Sequence, residues 1–226
     1  MNAITRCLDT YWSSSIGKKI IVAVTGIVLV LFLAGHLTGN LLIFVGRAAF
    51  NEYAEFLKGS LHGVGIWIAR SGLLVMLVVH VAATIALVRQ NRAARQPYEF
   101  PATIQASKSS RMMIVSGLTI LAFVIFHLLH FTVRVDAELA GLGETDPYSM
   151  VVVGFQNPLV VSFYIIAMTL LCSHLSHGVA SIFQTLGLRS KKAQGAIKTL
   201  SLAYSLAIWA GFISIPLAIY AGLVTL

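Results

Sequence analysis

Apolar residues fill five long stretches of the chain, and most polar residues lie in the segments between them. Each stretch has about the 20 apolar residues that a helix needs to cross the hydrocarbon core of a bilayer. Pro216 falls in the fifth stretch, where a membrane helix can accept a proline. The pattern predicts an all-α integral membrane protein with no evident internal repeat, built as a single domain of residues 1–226. Its predicted spans are residues 20–46, 66–88, 112–133, 157–186 and 200–225.

Composition supports this prediction, and charge gives it an orientation. Hydrophobic residues make up 58% of the chain and charged residues 11%, whereas soluble domains carry about 25% charged residues. With the N-terminus in the cytoplasm, most Lys and Arg lie on the inner side, as the positive-inside rule expects. The cations left outside are Arg47, Lys58, Arg70 and Arg134. We therefore expect a multi-pass protein of the inner (cytoplasmic) membrane with its C-terminus outside.

The net charge of +8 is thus mainly a signal of topology. It also gives the protein a basic inner face that suits an acidic partner or the anionic head groups of membrane lipid. Nothing in the pattern indicates binding to nucleic acid.

Histidines occur inside four of the five predicted spans, where ionisable residues are costly and usually functional. With a rise of about 1.5 Å per residue, His36 and His127 lie roughly 24 and 23 Å above the inner edge. By the same measure His80 lies roughly 14 Å above that edge, and His174 and His177 roughly 18 and 14 Å. The histidines therefore form an outer and an inner level, each supplied by two helices. Depth alone leaves both His174 and His177 open as the inner partner of His80.

Two such levels are what a stack of two bis-histidine b-type haems requires, because an imidazole on each face of a porphyrin supplies the axial bonds. Both irons would be six-coordinate, which suits electron transfer. Small residues beside the ligands would let the flat macrocycle approach the backbone, namely Gly35, Gly39 and Gly178. The predicted fold is accordingly a five-helix bundle that encloses two stacked haems.

Other interpretations of the histidines stay open. Each could be a lone polar residue bonded to a neighbouring helix, or they could relay protons in a haem-free membrane anchor or channel. Cys7 and Cys172 form no CxxCH motif, which excludes covalent c-type haem. The predicted spans contain no Asp or Glu, which excludes a carboxylate-bridged metal centre.

Several segments resemble the cytochrome b subunit of succinate dehydrogenase and fumarate reductase. The resemblance starts with SSSIGKKIIVAVTG, LAGHLTGNLLIF and NEYAEFL, and continues in VVHVAATI, FHLLHF and SHLSHGVASIFQTLG. It covers nearly the whole chain and is closest to the five-helix, two-haem type that reacts with menaquinone. The resemblance implies that His36 and His127 bind the outer haem iron, and that His80 and His174 bind the inner one.

The same resemblance implies roles for further residues. His130 and His177 would contact propionates, quinone or neighbouring backbone. Contacts to the anionic haem propionates would come from Ser14, Ser15, Lys18 and Arg134. Proton donors on the outer quinone side would come from Glu52, Glu55, His62 and Arg70.

The function implied by the resemblance is that of the membrane anchor of succinate:quinone oxidoreductase, respiratory complex II of the tricarboxylic acid cycle. The chain has no dinucleotide fingerprint and no Fe–S cysteine set, so the dicarboxylate chemistry would belong to partners. These are a flavoprotein with FAD and an iron–sulfur protein on the cytoplasmic face, in a complex that could form a higher oligomer. Electrons would pass through the inner and then the outer haem to menaquinone. The alternative family is that of the haem b subunits of formate dehydrogenase or hydrogenase, which usually have four helices and lack SSSIGKK.

Overall fold

Helices form all the regular structure in the described part of the chain, residues 12–94 and 108–226 of a computed structural model. Cys7 lies outside these residues. Besides α-helices, the described part contains turns of 3-10 helix at Leu41–Phe44 and Ser60–Gly63 and a π-helical segment at Leu128–Val133. The helices are α1 (Ser15–Asn40), α2 (Arg47–Gly59), α3 (Val64–Ala93), α4 (Lys108–His127), α5 (Ala137–Thr145), α6 (Pro147–Gly154), α7 (Pro158–Thr185) and α8 (Gln194–Tyr220).

Five helical segments are long and apolar enough to cross a membrane, which confirms the predicted all-α architecture with five spans. They are Ser15–Phe44, Arg47–Ala93, Met112–Val133, Pro158–Thr185 and Gln194–Tyr220. The second segment combines α2 and α3 across the intervening turn. The last span was predicted at 200–225, and the helix lies at Gln194–Tyr220. It begins earlier because the polar turn at its start is already helical.

Side-chain caps fix where several helices begin. Ser14 precedes α1, and its hydroxyl accepts a hydrogen bond from the Gly17 amide at 2.8 Å. Asp146 and Asn157 occupy the same position before α6 and α7, and each is followed by a proline in the first helical turn. Proline is favourable there because its missing N–H would have no partner within the helix.

The outer connections fold into helices that hydropathy alone did not predict. α2 turns Phe50, Tyr53 and Leu57 toward the bundle, a spacing typical of one helix face. The turn into α3 passes through left-handed backbone at Leu61 and His62, with φ of 49° and 56°. α5 and α6 pack against each other, and α6 packs against α2, so these helices cover the outer end of the bundle.

The spans pack as two helix pairs. α1 packs along α3, α4 packs along α7, and the pairs are joined where α1 meets α7 and by α8, which packs mainly on α7. α3 and α4 barely touch each other. The tight apolar core lies around α6, α7 and α8 and includes Phe155, Tyr164 and Ile208. The space between the two pairs is therefore left for the site.

A histidine-lined cavity as the candidate functional site

A large cavity of about 2570 Å³ lies between α1, α3, α4 and α7. Sites for ordinary small ligands have volumes of about 300–1,000 Å³, so this cavity could hold more than one large flat group. Its walls are mostly apolar. The histidines that line it are His36, His80, His127, His174 and His177.

The structure brings His36 and His127 together from opposite helix pairs. Their ring centroids are 5.9 Å apart, and the ring planes meet at 81°. Phe32 stacks on His36 and Phe123 on His127, with interplanar angles of 18° and 27°. The two rings lie at one level in the cavity, as the depth argument expects, while their role as ligands stays a prediction.

His80 and His174 occupy matching positions further in. A Cβ atom on Gly26 of α1 would lie 3.6 Å from Cε1 of His80, and one on Gly117 of α4 would lie 3.6 Å from Cε1 of His174. His80 on α3 and His174 on α7 both line the cavity. Each inner ring therefore lies against a glycine of the neighbouring helix.

These contacts reveal a short repeat that corrects the expectation of no internal repeat. α1 reads VTGIVLVLFLAGH and α4 reads VSGLTILAFVIFH, so a hydroxyl–glycine pair precedes each outer histidine at the same spacing. The glycine is ten residues before the histidine in both helices, or about 15 Å along the axis. The residues between the glycine and the histidine are mainly apolar in both helices, so a hydropathy profile does not distinguish this repeat from other apolar stretches. The shared ten-residue spacing is the sequence signal for it.

Hydroxyl groups in this repeat determine which ring nitrogen of each inner histidine is free. Thr25 Oγ1 donates its one hydrogen to the Ile21 carbonyl at 2.7 Å and lies 3.0 Å from His80 Nδ1. In that arrangement it accepts from an Nδ1–H, and Nε2 of His80 keeps its lone pair. The tautomer follows from this hydrogen-bond network.

Ser116 repeats the arrangement on the other wall. Its Oγ donates to the Met112 carbonyl at 2.9 Å and lies 3.4 Å from His174 Nδ1. A histidine that donates from Nδ1 while Nε2 stays free is the usual form of a metal-binding imidazole. Both inner histidines thus have the donor chemistry that an axial ligand needs.

The outer histidines have different partners. The Tyr164 hydroxyl lies 3.1 Å from Nδ1 of both His127 and His130. Asn40 Nδ2 lies 3.3 Å from His36 Nδ1 and donates to the His36 carbonyl at 2.7 Å. Asn40 Nδ2 also lies 3.5 Å from His36 Nε2, so these contacts do not fix which ring nitrogen of His36 carries the hydrogen.

The glycines expected to make room for a macrocycle have different neighbours. Gly35 and Gly178 line the cavity, and no described atom lies within 4 Å of a Cβ placed on either. The space beside Gly39 is taken by α2, because a Cβ there would lie 2.9 Å from the Tyr53 hydroxyl. The expectation for Gly39 therefore needs correction.

His177 lines the cavity, whereas the other predicted propionate contacts Ser14, Ser15, Lys18 and Arg134 lie outside its lining. Ser14 and Ser15 form the start of α1, where Lys18 is buried and its Nζ donates to Gln90 Oε1 at 3.0 Å. Arg134 is 2.6 Å from Glu144 Oε1 in an ion pair at the outer surface. Instead, the cations that line the inner end of the cavity are Lys19, Arg89, Arg92, Arg189 and Lys198. In the sequence these cations indicate topology and a basic inner face, and nothing in the pattern marks them as contacts of a propionate.

Of the four residues predicted for the quinone side, one lines the cavity and three lie away from it. Arg70 lines the outer part of the cavity, and its guanidinium lies 5.3 Å from the ring centre of Trp67. Glu52, Glu55 and His62 are exposed on the outer segment and do not reach the cavity wall.

Together these features define a polytopic helical membrane protein whose spans enclose one cavity with histidines on facing walls. The chain belongs to the family described as succinate dehydrogenase/fumarate reductase transmembrane subunit, whose model matches residues 86–212, more than half of the 226. The matched part includes His127, Tyr164 and His174, whereas His36 and His80 precede it. No curated protein and no solved structure matches the chain. The protein is therefore a multi-pass membrane subunit of an oxidoreductase complex.

Proposed function

We propose that this protein is the dihaem cytochrome b subunit of a succinate:menaquinone oxidoreductase in the cytoplasmic membrane. The observation that carries the proposal is the cavity, which has histidines from opposite helix pairs at two levels. Paired imidazoles on facing walls of a cavity of this size favour haem binding over a haem-free anchor.

The residues around the cavity fit two b-type haems. His36 and His127 would bind the outer iron, and His80 and His174 the inner iron. Thr25 fixes the tautomer that leaves Nε2 of His80 free. When bound, each haem supplies a one-electron Fe(III)/Fe(II) couple with no open position for substrate.

The protein's own residues prepare the site in three ways. Phe32 and Phe123 stack on the outer imidazoles and restrict their rotation. The mostly apolar walls lower the local dielectric around the site. The inner cations, such as Arg89 and Lys198, offer donors to anionic propionates at the cavity mouth.

The family supports partners on the inner side. Membership in a succinate dehydrogenase/fumarate reductase complex implies a flavoprotein with FAD and an iron–sulfur subunit. The basic inner face suits an acidic docking surface on one of them. In this proposal those subunits oxidise succinate and this subunit connects the reaction to menaquinone.

Haem stoichiometry of the purified complex tests the proposal. A reduced-minus-oxidised optical spectrum, with haem extracted as the pyridine complex, should give two b-type haems per chain. His62→Ala is the matched control, because His62 lies on the exposed outer turn, and it should keep both haems. One haem would contradict the dihaem type, and none would favour the haem-free anchor.

A further inference from the structure

We propose that Tyr164 is a positioning residue that determines which histidine of the His127/His130 pair can bind iron. The inference rests on the proposed function, since it concerns the outer haem of that site. Its basis is that one phenol hydroxyl lies 3.1 Å from Nδ1 of both histidines.

A phenol has a single hydrogen, so it can donate to at most one of the two Nδ1 atoms. Among the described residues these two atoms are the hydrogen-bond partners of this buried hydroxyl, so the arrangement that satisfies every group has one Nδ1 accepting the phenol hydrogen and the other Nδ1–H donating to the phenol oxygen. In that arrangement the two histidines are opposite tautomers, and only the one that donates from Nδ1 keeps a lone pair on Nε2. Tyr164 thus favours one axial ligand in the pair.

Position identifies His127 as the ligand. His127 lines the cavity, with its ring 5.9 Å from that of His36 on the facing wall. His130 is absent from the cavity lining and lies among aromatic rings, with its centroid 4.0 Å from Phe131. His130 therefore accepts the Tyr164 hydrogen at Nδ1 and carries its own hydrogen on Nε2.

The backbone brings both histidines to the same hydroxyl. The helix changes to π geometry at Leu128–Val133, immediately after His127, and such segments are frequent at functional sites. Tyr164 itself is held firmly on α7, because it is buried and its ring makes edge contacts with Phe123 and Phe155 at 4.9 and 4.8 Å. The hydroxyl is therefore a fixed point against which His127 is oriented.

Tyr164→Phe removes the hydroxyl and keeps the packed ring. Without its acceptor, the His127 imidazole becomes less basic and stabilises the oxidised iron less. We expect the outer haem to show a shifted low-spin electron paramagnetic resonance signal and a more positive midpoint potential. It should also dissociate about 10- to 100-fold more readily. The inner haem should be unchanged.

Tyr204→Phe is the matched control, since the Tyr204 hydroxyl donates to the Val30 carbonyl between α8 and α1. This variant should leave both haem signals and both midpoint potentials at their wild-type values. The inference would be overturned if the midpoint potential of the outer haem shifted equally in Tyr164→Phe and Tyr204→Phe. It would also be overturned if that potential did not shift in Tyr164→Phe.

His130→Leu is a second variant that tests the inference. Tyr164 can still accept from His127 in this variant, so the outer haem should be retained, and its loss would overturn the assignment of His127 as the ligand. A wild-type chain without two haems contradicts the proposed function. Two wild-type haems that do not respond to Tyr164→Phe contradict only the inference about Tyr164.

Discussion

Thr25 Oγ1 and His80 Nδ1 lie 3.0 Å apart across the contact between α1 and α3. The threonine hydrogen is already used within its own helix, at the Ile21 carbonyl. In that arrangement the histidine is the donor, and its Nε2 is left with a free lone pair. A hydroxyl on α1 thus sets the tautomer of a histidine on α3.

Thr25→Val should weaken binding of the inner haem and leave binding of the outer haem unchanged. The reason is that the valine side chain cannot accept a hydrogen bond from His80 Nδ1–H. Loss of such a partner typically costs about 10- to 100-fold in metal affinity. The measurement is haem retention during dilution, combined with a redox titration that separates the two components. Ser116→Ala should affect the same component through His174.

Thr38→Val is the control for this prediction. It makes the same change on the same helix, where the hydroxyl donates to the Ala34 carbonyl at 2.9 Å. If Thr38→Val and Thr25→Val weakened haem binding equally, the tautomer argument would be wrong.

The five spans could be predicted because bilayer thickness fixes the length of an apolar helix. The two levels of histidine followed from helix rise alone, and the structure places His36 beside His127 accordingly. Sequence could not show which ring nitrogen is free, because that depends on contacts between distant residues such as Thr25 and His80. Tyr164 was missed for the same reason, since only the fold brings its hydroxyl to two histidines of another helix.

The outer surface was harder to predict than the spans. α2 and α6 are short helices, and packing against the rest of the protein stabilises them. Neither is a long apolar stretch that a hydropathy profile would detect. Arg134 was expected to serve the outer haem, but its guanidinium is paired with Glu144 on the neighbouring helix α5. Sequence gives the charge of such a residue but not its partner.

Gly143→Ala should destabilise the outer surface, because a Cβ there would lie 2.6 Å from Cδ of Arg134 and 2.8 Å from Sδ of Met150. Overpacking of this kind typically costs about 1–3 kcal/mol. Gly141→Ala, on the same helix, is the control, since no described atom lies within 4 Å of its added Cβ. It should be neutral or stabilising by up to about 1 kcal/mol. Melting temperatures of the two variants in detergent check the prediction, and a lower value for Gly141→Ala than for Gly143→Ala would contradict it.

Asp146 should make the outer helices sensitive to acid. Partial burial raises the pKa of its carboxyl, but hydrogen bonds from Ser149 and Asn51 and the charge of Arg47 outweigh this, so the net pKa is lowered. A carboxyl whose folded pKa is lowered stabilises the fold above its unfolded pKa of about 3.9. That stabilisation is lost as pH falls through the folded pKa.

We therefore expect the melting temperature of the wild type to fall below about pH 4 more steeply than that of Asp146→Asn. Asp136→Asn is a suitable comparison, because Asp136 also caps a helix, through the Glu138 and Leu139 amides of α5. Identical acid dependence of the wild type and Asp146→Asn would show that the Asp146 carboxylate does not stabilise the outer surface.

The central claim is that four histidines bind two haems at two levels, and redox-resolved electron paramagnetic resonance of four alanine variants tests it most directly. His80→Ala and His174→Ala should each remove the same low-spin component, that of the inner haem, and leave the other intact. His36→Ala and His127→Ala should each remove the outer component. Loss of the same component in His36→Ala and His80→Ala would contradict the account.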